Sequence, residues 1–131
     1  MARHALHLLL CVKAGLLVWG VLGFVEYVSP AVAFGLQDAN FPRGVQFLHW
    51  FLLVLTGATF VVGYLRRWRH TPTATVVLYA TLATLCFVET VDFNAFGGGD
   101  SRFAIMTAEF VLYAVLAVFL LRSAAVRARF G

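Results

Sequence analysis

The sequence predicts an all-α polytopic membrane protein, four transmembrane helices in a bundle with both termini cytoplasmic. Three observations carry that prediction. The 131 residues are 62% hydrophobic and only 12% charged, with a mean hydropathy of +0.88, where a soluble domain carries about 25% charged residues. Four apolar stretches each reach the roughly 20 residues that a bilayer crossing needs. The basic residues gather at the boundaries of those stretches.

The helices are expected over about 6–28, 44–65, 73–96 and 103–121, and they leave little chain outside them. Residues 1–131 therefore read as a single membrane domain with no soluble module. Pro30, Pro42 and Pro72 all fall between the apolar runs, where a missing amide proton and a fixed φ do no harm to a helix. Gly97-Gly98-Gly99 predicts a tight turn, with Asp100 or Ser101 capping the fourth helix. Spanning strands would alternate apolar and polar over about 10 residues, and these runs are too long and too uniformly apolar for that.

Orientation follows from the arginines. Arg3, Arg66, Arg67, Arg69, Arg122, Arg127 and Arg129 fall on one side, against Arg43 and Arg102 on the other. Short loops rich in Lys and Arg stay cytoplasmic, so the termini are expected inside a bacterial inner membrane, with the loops at 29–42 and 97–102 facing out. The same bias explains the pI of 9.6. No basic patch interleaves with aromatics, which excludes a nucleic-acid partner. Pro30-Ala31-Val32-Ala33 has the small residues of a signal-peptidase site, but the run before it is long and is interrupted by Lys13 and Glu26. Cys11 and Cys86 are isolated and read as small hydrophobes. Lys13, in the cytoplasmic half of the first helix, is expected to snorkel to the headgroups, although its phase lies close to that of Gly20.

All six acids, Glu26, Asp38, Glu89, Asp92, Asp100 and Glu109, fall in the outer half. Counting from Arg43, Phe96 and Arg102 at 1.5 Å per residue, His49, Glu89 and Glu109 each lie roughly 9–10 Å inside the surface. Glu89 and Asp92 share a face with Cys86 and Tyr79. Gln46, His49, Leu53, Thr56, Phe60 and Gly63 share one on the second helix, and Arg102, Met106, Glu109 and Tyr113 one on the fourth. A charge at mid-bilayer costs at least about 2.5–3.5 kcal/mol, so such groups turn inward and find partners. The expectation is an outward-facing pocket of His49, Glu89, Asp92, Glu109 and Glu26, supported by Gln46, Arg102, Met106 and Tyr113.

Histidine with carboxylates on facing helices suits a divalent metal or another cation, although Gln46-x-x-His49 places an amide where di-iron bundles have Glu. Clustered intramembrane carboxylates also suit proton-coupled transport. Gly15, Gly20, Gly23, Gly57 and Gly63 permit close helix contact, within this chain or in a homo-oligomer or a complex with other membrane subunits. An accessory subunit, in which the same residues form a polar lock, is the alternative, as is a quinone-binding or lipid-modifying acid–base protein in which a Glu–His pair moves a proton. The stretch RGVQFLHWFLLVLTG, Arg43 to Gly57, resembles the opening of a first helix in bacterial b561-type cytochromes. That resemblance implies His49 as a haem ligand with a second His, but His4, His7 and His70 lie at the opposite side, leaving only Met106 at the right depth.

Overall fold

A computed structural model describes residues 1–29, 31–95 and 99–131. It contains α1 (Ala2–Val28), α2 (Arg43–Arg66), α3 (Thr71–Val91), α4 (Ser101–Arg122) and α5 (Ala124–Phe130). The first four are long and apolar enough to cross a membrane. Pro72 sits in the first turn of α3, where its missing N–H costs nothing. Successive long helices pack on one another, α1 on α2, α2 on α3 and α3 on α4. Asp38, Asp92 and Asp100 lie between helices at one end (the acidic end), and the arginines of the termini and of the α2–α3 turn mark the other (the arginine end).

Small residues let α1 and α2 approach closely. Gly23 lies against the Trp50 ring, and a Cβ at Gly57 would come within 2.8 Å of Leu17. Gly63 is closed against Thr71, whereas Gly15 faces open space and takes no part in helix contact.

Three expectations are corrected. The helix expected over 73–96 ends at Val91. Asp92 is its exposed C-cap, its own N–H bonded to the Val88 carbonyl at 2.9 Å. The chain then folds back through Asn94 in the left-handed region (φ 51°), and Ala95 is buried. Asp100 does occupy the N-cap of α4 but makes no side-chain cap hydrogen bond; Gly97 and Gly98 of the expected turn lie outside the described residues. Finally, the arginine-rich C-terminal tail is itself a helix. Ser123 adopts an extended conformation that separates α4 from α5, and Val126 and Phe130, four apart on one face, are buried. Phe130 meets Phe60 and Tyr64 edge-on, so α5 closes the arginine end against α1, α3 and α4.

Candidate functional site

His49 and Glu89 are brought together. His49 Nδ1 lies 2.9 Å from Glu89 Oε1, a bridge from α2 to α3. Glu89 is only 7% exposed although it stands two residues from the end of its helix. Depth from a helix end at 96 is therefore not what buries it. Leu16, Leu53 and Ala95 share the walls of the cavities it lines.

The pair stands where two cavities meet. The outer one, about 360 Å³, is open toward the acidic end and lined by Leu36, Asp38, Phe41, Gln46, Trp50 and their neighbours, with His49 and Glu89 in its wall. The inner one, about 220 Å³, is more enclosed and shares His49, Glu89, Leu16, Leu53 and Ala95 with the first. It adds Lys13, Thr56, Cys86, Glu109 and Tyr113. Glu109 accepts a hydrogen bond from the Cys86 thiol. The Thr56 hydroxyl is buried with no hydrogen-bond partner among the described residues. Tyr113 stacks on Tyr79, ring centroids 5.6 Å apart.

Lys13 corrects the snorkelling expectation. It is 4% exposed, and its ammonium lies 4.0 Å from the centroid of the Tyr79 ring. A cation over an aromatic face is attracted by the ring quadrupole, more strongly when desolvated. Its phase near Gly20 was the available signal. Both face the interior, and Lys13 lines the inner cavity.

Of the other expected site residues, Gln46 lines the outer cavity, while Glu26, Asp92 and Arg102 lie outside both. The Glu26 carboxylate accepts the backbone N–H groups of Phe34, Leu36 at 3.0 Å and Gln37 at 3.2 Å, so it organises the α1–α2 loop. Gln46 donates to the carbonyls of Asp38 and Phe41. Asp92 is exposed, the Arg102 guanidinium lies over the Phe103 ring, and Met106 lines neither cavity. Among the described residues no group of three or more His, Cys, Asp and Glu is arranged to hold a metal ion.

No family model matches the chain, and neither a curated protein nor a solved structure is significantly similar to it. The cytochrome resemblance of Arg43–Gly57 is thus not extended by any of them.

Proposed function

We propose that the chain is a small integral membrane protein whose acidic/His pocket takes up a cation from the outer side, and that this cation is the proton, as in proton-coupled transport. One observation carries the reading. The His49–Glu89 contact belongs both to the open outer cavity and to the inner one that holds Glu109 and Lys13. Intramembrane ionisable groups are costly, and in membrane proteins they mark ion and proton paths. The donor set favours the proton over a divalent metal. Glu89 already engages His49 and Glu109 already engages Cys86, and the Lys13 ammonium in the same cavity repels a divalent ion. A proton needs only one base at a time. Arriving at His49 from the outer cavity, it crosses 2.9 Å to Glu89 and has Glu109 in the next cavity.

The test is infrared difference spectroscopy on protein in liposomes while the external pH is stepped. A carboxyl band that appears and disappears with pH, and is lost in Glu89→Gln or Glu109→Gln, is the expected result. A spectrum with no such band, or one unaltered in both variants, refutes the reading.

The lining of the outer cavity favours a second reading. Leu16, Trp19, Leu36, Phe41, Trp50 and Leu53 give it an apolar body with a polar end at His49–Glu89, and its volume is in the range of small-molecule sites. A quinone-like or lipid molecule with a polar head fits that description. A rise in melting temperature with a short-chain quinone, absent in His49→Ala, would support it.

A further inference from the structure

We propose a second site, at the arginine end, that binds an anionic phosphate group. It is independent of the proton reading and uses none of its residues. A cavity of about 280 Å³ lies between the start of α1, the end of α2 and α5, lined by Arg3, Leu6, His7, Tyr64, Arg67 and Arg129 with two alanines of α5. Arg129 is held in place. Its Nη2 donates to the Tyr64 carbonyl at 2.9 Å, and its guanidinium lies 4.2 Å from the Tyr64 ring centroid. That leaves its Nε buried and without a hydrogen-bond partner among the described residues. Burying such a donor unpaired costs more than a hydrogen bond returns.

Charge points the same way. Three guanidiniums and an imidazole line one cavity, while all six acidic side chains belong to the other half of the protein. Among the described residues none of Arg3, Arg67 and Arg129 pairs with a carboxylate. Like charges brought together without a counter-charge repel, and the group that matches several guanidiniums is a phosphate, which accepts their forked donors bidentately. Basic pockets between membrane helices bind lipid head groups on this principle.

The backbone supplies an independent sign. Arg67 caps α2 in the left-handed conformation, φ 54°, a position that glycine fills without strain. An arginine there brings its guanidinium to the wall of this cavity and of the open groove of about 830 Å³ that continues along Arg66, Trp68, Arg69 and His70.

The shared chemistry is an anionic phosphate, from a lipid headgroup or from a soluble phosphate, and two probes separate them. Wild-type protein and an Arg3→Gln/Arg67→Gly double variant are compared in two settings. One is phosphatidylcholine nanodiscs with or without phosphatidylglycerol, and the other is neutral detergent with or without inorganic phosphate. Glycine suits the backbone at 67, so the variant keeps its fold, which its melting curve without either probe verifies. Losing two charge-assisted contacts is expected to weaken binding of the responding probe by about tenfold or more. A wild-type response to phosphatidylglycerol alone assigns the site to a lipid headgroup, and a response to inorganic phosphate assigns it to a soluble phosphate. Equal responses of wild type and variant to both probes, or no wild-type response to either, overturn the proposal.

Discussion

His49 Nδ1 and Glu89 Oε1 lie 2.9 Å apart, which makes this contact both a strut between α2 and α3 and the partition between two cavities. The two roles separate experimentally. A double-mutant cycle of His49→Ala and Glu89→Gln, read by unfolding in detergent, should give a coupling of about 1–2 kcal/mol, the scale of a hydrogen-bonded pair in contact. Coupling near zero would mean that the contact contributes nothing to holding the helices together.

Lys13 is the chain's single lysine, and its burial against Tyr79 makes a clean prediction. In folded protein an impermeant amine reagent should leave Lys13 unmodified, and after unfolding it should label it. A snorkelling side chain would be labelled in both. Lys13→Met should melt at the wild-type temperature or above it, because exchanging a buried charge for an apolar side chain of similar length recovers its desolvation cost. A fall in melting temperature would show that the Tyr79 contact outweighs that cost.

How far these features can be read from the sequence differs residue by residue. The long helices follow from apolar length alone, and the inward faces of α2, α3 and α4 follow from the 3.6-residue repeat, which put His49, Glu89, Cys86, Glu109 and Tyr113 on the right sides. What failed depended on tertiary context. Asp92 left the set because α3 stops at Val91; Asn94, a residue type that accepts the left-handed conformation in which helices end, was the available sign of that stop. Glu26 left because the α1–α2 loop folds over its carboxylate, a contact eight to eleven residues away that no helical period reports. The α5 helix was missed because a seven-residue segment rich in arginine reads as a solvated tail, although the Val126–Phe130 spacing was a usable sign of a buried face.

Glu26 yields a local prediction. Its carboxylate gathers the amides of Phe34, Leu36 and Gln37, and Glu26→Ala removes the acceptor for all of them. Hydrogen exchange at those amides should quicken, while the α2–α3 helices around His49 and Glu89 keep their protection. The stability loss should be about 1 kcal/mol, since these amides can turn to water. Loss of protection around His49 would instead make Glu26 part of the inner site.

Gly23 tests the α1–α2 interface. A Cβ there would run into the Trp50 ring, and Trp50 is not free to move aside. Its Nε1 donates to Gln37 Oε1 at 2.9 Å, and Gln37 Nε2 in turn donates to the Gly23 carbonyl at 3.0 Å. Relieving the clash therefore requires breaking the bonds that fasten the loop to both helices. Gly23→Ala should destabilise by about 1–3 kcal/mol, the usual cost of overpacking. Gly15→Ala is the control, because nothing lies within 4 Å of the added methyl and alanine favours a helix over glycine by up to about 1 kcal/mol. The two melting temperatures should shift in opposite directions. A neutral Gly23→Ala would mean that α1 and α2 do not meet at Trp50, and that the wall of the outer cavity is built differently.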